Sequence, residues 1–393
     1  MSKTYNIGII GFGKRAKDIW GKSITAYNSV PDNDKCRLVA IVDPRPEDEL
    51  RTELSVCGAP DARIYRDPVE MYENEKLDGT IIGTRCSLHT KMALINARYG
   101  IPVLLEKPVS TTDEDLAALE GILDTMDEKT LISFPLRVAP LAVKAKELID
   151  TGILGKISQV QGINNVPYAR GYYHGWYRDD RETGGLFLQK STHDLDLIQF
   201  ILSEPKPVMI SATETKNIFL GDMPAGLRCK DCEKRESCPE SDINVATYGD
   251  RYAVKDECCF AVDTGNHDSA SIIVQYADGM HAVYSQNFVA RKAAGRRGLR
   301  IIGYNATLEF EFNSKCIDIF YHNEDKTEHI DMTDCNDLNG NKYVIFQPLY
   351  PWEMRWRHRR VSKRRIEKVI RKYLSMVTDS EFDVCFEEAE NSG

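Results

Sequence analysis

"YNIGIIGFGKRAKDI", residues 5–19, decides the fold. A short apolar run ends at Gly11-x-Gly13-x-x-Ala16 and passes directly into helix-like spacing. Gly11 permits a tight turn, Gly13 lets the backbone approach a pyrophosphate, and small Ala16 allows close packing of helix on strand. The free N–H groups at the helix start would then face the phosphates. Phe12, Lys14 and Arg15 lie on the same turn and join these three as cofactor-side candidates. By itself the pattern is weak and also describes a packing loop, so its surroundings have to carry the assignment.

Those surroundings agree. Segments 37–43, 62–65, 79–83, 101–106 and 130–134 are short, rich in Val, Ile and Leu, and lack clean alternation. Parallel strands covered on both faces read in this way. Between them, 14–27, 46–54, 68–75, 87–99 and 112–125 have helical spacing. The alternation predicts an α/β protein that opens with a Rossmann doubly wound parallel sheet over residues 1–128. A helix at 138–151 follows, stopped by Gly152. Longer strands come next, at 157–164, 207–215, 269–277, 281–289 and 306–312. "ADGM" (277–280) is a hairpin signal with Asp-Gly at its centre. These predict a second, α+β domain over 129–345 with a mostly antiparallel open sheet, then a divergent basic helical tail over 346–393.

Composition narrows the class. Of 393 residues, 42% are apolar and 28% charged, the profile of a globular protein rather than a fibrous or disordered one. No apolar run reaches the 18 or so residues of a membrane span, so no membrane partner is expected. The N-terminus enters a strand at once, with no room for a signal peptide. The expected compartment is therefore the cytoplasm, where the 11 cysteines stay mostly reduced. The net charge of −9 is uneven, because residues 355–372 hold ten Lys/Arg against one acid, Glu367. An acidic body argues against nucleic acid as a partner. The basic segment reads as a solvated helix face packed on that body, with a polyanion patch as the alternative.

Asp43 closes the second strand, where an acid bonds the adenosine ribose hydroxyls. Its charge favours NAD; Arg45, two residues on, is the counter-signal that could hold the 2′-phosphate of NADP. The fifth strand runs into "LLEKPVS" (104–110). Lys107 therefore sits at the C-terminal end of a parallel strand, where such sheets bind ligands. Pro108 restricts it to extended geometry, which lets the ammonium point across the crevice. "GGLFLQKSTHDLDL" (184–197) places Lys190 and His193 at i, i+3, on one helix face. "NNVPYARGYYHGWYRDD" (164–180) supplies aromatic faces and hydrogen-bonding groups suited to a sugar-like substrate. Tyr168, Arg170, His174 and Trp176 are its candidates; His267, Asp268 and Asn287 are added from later segments.

Together the N-terminal glycines, "EKP" and "GGLFLQKSTHDLDL" resemble the Gfo/Idh/MocA family of NAD(P)-dependent oxidoreductases. "SLHTKMALINARYGIPVLLEKPVS" (87–110), "LIDTGILGKISQV" (148–160) and "AGRRGLRIIGYNATLEFEF" (294–312) resemble further family segments, so the likeness covers roughly residues 4–315. It implies that Lys107 bonds the reacting hydroxyl, that the Lys107–Pro108 bond is cis, and that His193 takes the hydroxyl proton, its neutral-range pKa suiting that work. It adds Thr84, Arg85, His89 and Glu106 on the cofactor side, with NAD as cofactor and NADP left open. It also implies a homodimer or homotetramer built through the open sheet. Asp194 or Asp196 would orient the imidazole or cap backbone. Many relatives carry a carboxylate four residues before the histidine, where this chain has Gln189; Lys190, three before His193, resembles a subgroup with lysine at that place. A second ammonium would favour the neutral forms of Lys190 and His193.

The expected function is hydride transfer between a nicotinamide and a hydroxyl of a sugar, sugar acid or cyclitol. An NAD-dependent glycosidase working by transient oxidation and elimination is one alternative, and a non-catalytic nucleotide-dependent sensor another. Cys229-x2-Cys232-x5-Cys238, with Cys258 and Cys259 beyond, is open to three readings: a structural metal on Cys229, Cys232, Cys238 and Cys258, reduced packing thiols, or a disulfide.

Overall fold

A computed structural model describes residues 3–203, 205–247 and 255–333. The proposed tail, 346–393, and its basic segment lie outside the described residues. β1 (Thr4–Ile10), β2 (Lys35–Val42), β3 (Arg63–Tyr65), β4 (Gly79–Ile82), β5 (Val103–Leu105) and β6 (Thr130–Ile132) form one parallel sheet. Its order is β3-β2-β1-β4-β5-β6, the doubly wound arrangement of a dinucleotide-binding domain. Both faces are covered: Ile9, Ile41 and Ile81 enter one apolar cluster, while their neighbours Ile10, Val42 and Ile82 enter another. That two-sided burial is why these strands read as continuous apolar runs. β6 belongs to this sheet, so the first domain runs past the expected boundary at 128 to at least Ile132.

Two predicted helices differ in detail. The first is helical from Lys14 to Ser29 but widens into a π segment over Ile19–Ile24, which turns the adjacent side chains of Ile19 and Trp20 both into the core. The 112–125 segment breaks into Asp113–Glu120 and Leu123–Met126 at Gly121, a poor helix former. Thr112 caps the former by accepting from the Asp115 N–H.

The second sheet contains β7 (Ile157–Asn165), β8 (Pro207–Thr215), β9 (Ser269–Tyr276), β10 (His281–Asn287), β11 (Arg296–Gly303), β12 (Ala306–Glu311), β13 (Cys316–Tyr321) and β14 (Thr327–Asp331). The order is β14-β13-β12-β11-β7-β10-β9-β8, antiparallel apart from the β7–β10 pair. β13 and β14 escape a pattern reading because they are short, at six and five residues, and β14 has one apolar residue, Ile330. One face packs on the helix Gly185–Ile201. Gly162 on β7 makes this approach possible, since a Cβ there would sit 3.0 Å from Leu299 and Tyr284 and 3.5 Å from Ile198 of that helix. The other face is open. The larger core runs unbroken from Ile10, Met92 and Val103 of the first sheet to Leu188, Ile198, Leu299 and Ile319 of the second domain.

Candidate active site

The turn after β1 is shaped for a phosphate. Gly11 has φ +82, and a Cβ on it would lie 2.7 Å from the Thr84 backbone. Only glycine combines that conformation with that approach. A Cβ on Gly13 would meet nothing within 4 Å, so space is open in front of the helix, whose first turn has no side-chain cap. Ala16 packs under Gly83, where a Cβ would fall 3.1 Å away. Buried Asp43 accepts the Phe12 N–H at 2.9 Å, the Arg45 N–H at 3.0 Å and the Arg45 guanidinium, which fixes the carboxylate at the end of β2. These residues fit a dinucleotide. Phe12 itself is a correction, since its ring is fully buried in the core and only its backbone serves the turn. Arg45 is another. It bonds Asp43, Glu49, Glu53 and the Phe12 carbonyl, so its donors are spent within the protein rather than held out for a 2′-phosphate. Lys14 is exposed at the helix start.

Lys107 follows β5 on a cis Lys107–Pro108 bond. Its Nζ donates to the Gln189 carbonyl at 2.6 Å, one turn before His193 on the helix Gly185–Ile201. Residues 82 positions apart in sequence are thus joined in one crevice. Burial, then the neighbouring Lys190 ammonium, bring the Lys107 pKa down to about 7. Burial is the first cause for Lys190 as well, which is also lowered, and for His193, which is held well below its usual value with Lys107 as the next contributor. Desolvation is thus the first cause for all three groups, with neighbouring cations adding to it: Lys190 for Lys107, Arg297 for Lys190, and Lys107 for His193. Lys190 donates to the Tyr172 hydroxyl and lies 5.1 Å from the Tyr168 ring centre. His193 is half-buried, edge-on to Phe134, and its Nδ1 has no hydrogen-bond partner.

Neither Asp194 nor Asp196 orients the imidazole. Asp194 accepts from Asn164, Tyr284 and Arg297, and Asp196 forms a buried pair with Arg137. Their carboxylates are taken up by these partners rather than by the His193 ring. Sequence reading missed Arg297, though strand parity could have found it: Arg297, Leu299 and Ile301 alternate inward along β11. Tyr172 and Asn164 stood in the aromatic stretch without being singled out.

The remaining candidates divide. Glu106 holds Arg15 at 2.7 Å, and Arg15 also reaches Ser133. Thr84 bonds the Arg85 carbonyl, and the Arg85 guanidinium lies 4.7 Å from the Trp176 ring centre. His89 is buried between the Pro108 and Thr84 carbonyls at 2.7 and 3.2 Å, which makes it a clamp on both crevice loops rather than a cofactor contact. Arg170 pairs with Glu240, and buried His174 meets the Glu257 carbonyl. Both anchor the cysteine-rich insertion and not the crevice. Asn287 accepts from the Val289 and Ala290 N–H groups as a turn former. Asp268 accepts from the backbone of residues 217–219, while His267 pairs with Glu214. Cys229, Cys232, Cys238, Cys258 and Cys259 are free thiols. Among the described residues their sulfurs do not gather as a ligand set; the side chains that do, within 4.8 Å, are Cys316, Asp318 and His329 on the partly exposed β13–β14 edge. No helix among the described residues is long and apolar enough to cross a membrane.

Comparison with known proteins agrees with this architecture. The oxidoreductase family model with an NAD-binding Rossmann fold matches residues 5–134, and the GFO/IDH/MocA C-terminal domain matches residues 142–309. Inositol 2-dehydrogenase of Rhizobium meliloti is 24% identical over 285 residues, covering 72% of this chain and 69% of that one. Inositol 2-dehydrogenase 2 of Saccharopolyspora erythraea is 25% identical over 202 residues, 51% of this chain and 55% of that protein. This chain spans about half the length of most of the curated relatives it matches. A levoglucosan dehydrogenase solved with NADH and levoglucosan shares the fold at a TM-score of 0.64 and 15% identity, over 94% of this chain and 90% of that one. The chain belongs to the Gfo/Idh/MocA family of oxidoreductases, with its NAD-binding Rossmann domain in front and its C-terminal domain behind.

Proposed function

We propose that this protein is an NAD-dependent oxidoreductase acting on a hydroxyl of a sugar, sugar acid or cyclitol. The observation that carries the reading is the meeting of Lys107, from the end of the nucleotide-binding sheet, with the Lys190–His193 face of the helix across a 2.6 Å bond. When bound, NAD supplies a nicotinamide that accepts or returns a hydride. Lys107 Nζ, with a pKa near 7, exchanges a proton readily at neutral pH and bonds the reacting oxygen. His193, held neutral by burial and by surrounding cations, has a ring nitrogen ready to accept the hydroxyl proton. The inositol 2-dehydrogenases among the relatives support a polyol or sugar as substrate class. The open face of the second sheet is the surface we assign to self-association.

The test is NADH formation, followed by its absorbance, over a panel of sugars, sugar acids and cyclitols. Lys107→Ala and His193→Ala are each expected to lower kcat/KM by about 10²–10⁴-fold while leaving NADH binding in place. Undiminished turnover in both variants sinks the site. Product release with no net NADH moves the reading to the elimination-type glycosidase.

A further inference from the structure

Around His193 the chain gathers four cations and two carboxylates. Arg15 is matched by Glu106 at 2.7 Å, and Arg297 by Asp194 at 2.7 Å. The two lysines have no such match. Among the described residues neither ammonium forms a salt bridge; Lys107 donates to a backbone carbonyl and Lys190 to a tyrosine hydroxyl. Both are nearly buried, at 9% exposure. Arg297 is under-used as well, since its Nη2 is buried and has no hydrogen-bond partner. A guanidinium stays charged at any working pH, and leaving a buried charged donor unpaired costs about 1–3 kcal/mol or more. In such a desolvated place a counter-charge is held far more strongly than in water. A neutral sugar brings hydroxyls and no counter-charge.

We propose that the substrate is an anionic sugar whose carboxylate lies against Lys190 and Arg297 while its reacting hydroxyl faces Lys107 and His193. The inference rests on the oxidoreductase reading above and narrows its substrate class to the sugar acids. The spacing suits one small molecule. Lys190 precedes His193 by three residues on one helix face, so the anion position and the hydroxyl position lie within about one helical turn, ~5 Å. A hexuronate or aldonate carries both groups on one six-carbon chain. Lys190 is already oriented without an acid, because the Tyr168 and Tyr172 rings lie 5.1 and 4.1 Å from its Nζ and the Tyr172 hydroxyl accepts from it. Arg297 is fixed by its Nε bond to Asp194, which leaves Nη2 as the donor to spare. Positive charge thus surrounds the site from the helix, from β11 and from the end of β5.

The experiment measures binding of D-glucuronate and D-galacturonate against D-glucose and D-galactose to the full chain saturated with NADH, by tryptophan fluorescence and by thermal shift. The acids are expected to bind at least about tenfold more tightly than their neutral partners, the weight of one charged hydrogen bond. Lys190→Met should bring the acids to the level of the neutral sugars with NADH affinity unchanged. Arg297→Lys, which keeps the charge opposite Asp194, should remove a smaller part of the preference. Equal binding of acids and neutral sugars, an acid preference that survives Lys190→Met, or no binding of either acid overturns the proposal. The two readings fail separately: NADH formed from neutral sugars alone removes the anion site and keeps the oxidoreductase, whereas a chain that binds no NADH removes the oxidoreductase.

Discussion

Lys107 stands at the end of β5 with its ammonium desolvated and facing Lys190, and the two conditions together lower its pKa to about 7. The consequence for stability has a definite sign. A lysine whose folded pKa lies below its unfolded value destabilises the fold wherever both states are charged, below about pH 7. That penalty fades as pH rises from about 7 towards the ordinary lysine value near 10.5. Lys107→Met should therefore be more stable than the parent at pH 6, by on the order of a few kcal/mol, and the gap should close by pH 10. Urea midpoints at both pH values check this; a pH-independent difference would refute it. Asp196 behaves in the opposite way. It is 4% exposed and paired with Arg137 at 2.8 Å, and Asp196→Ala removes that carboxylate from a buried guanidinium. The expected loss is about 3–5 kcal/mol, read as a lower urea midpoint with NADH affinity little changed. Lys107 and His193 could be proposed as an acid–base pair from sequence because few residue types serve such chemistry. The partners of Asp194 and Asp196 were not, because helix phase decides which side chain faces the crevice and which faces β11.

At the scale of elements, the β1 turn is the piece on which the nucleotide site depends. Gly11→Ala forces a left-handed conformation, costing about 1–2 kcal/mol, and drives a methyl to within 2.7 Å of the Thr84 backbone. NADH affinity and thermal stability should fall together in this variant; a variant that loses neither would show that the turn does not cradle phosphate. Sequence spacing located this element to within a residue, because strand, glycines and helix are contiguous and local. The π segment Ile19–Ile24 and the break at Gly121 were less legible, since they answer to side chains packed from elsewhere. β14 left a faint pattern because it is the edge strand of the second sheet, and an edge open to solvent needs few apolar residues.

At the scale of the molecule, the largest apolar cluster joins the nucleotide-binding sheet to the second domain, with Ile10 and Val103 in the same body as Leu188, Leu299 and Ile319. The buried Arg137–Asp196 pair adds a polar tie between the segment after β6 and the helix Gly185–Ile201. A shared core predicts cooperative unfolding, so calorimetry should record one transition that shifts upward as a whole with NADH. Two transitions, only one of them responding to NADH, would show that the domains unfold independently.

The sequence by itself determined the doubly wound first domain and the nucleotide turn, because each rests on local periodicity and contiguous residues. The tertiary structure alone decided which polar residues serve the crevice. It turned Arg170, His174 and Asn287 into scaffold, tied Arg45 to three acids, and brought Arg297 beside Lys190 and His193. Side-chain direction and long-range pairing, absent from any short stretch of letters, set that division.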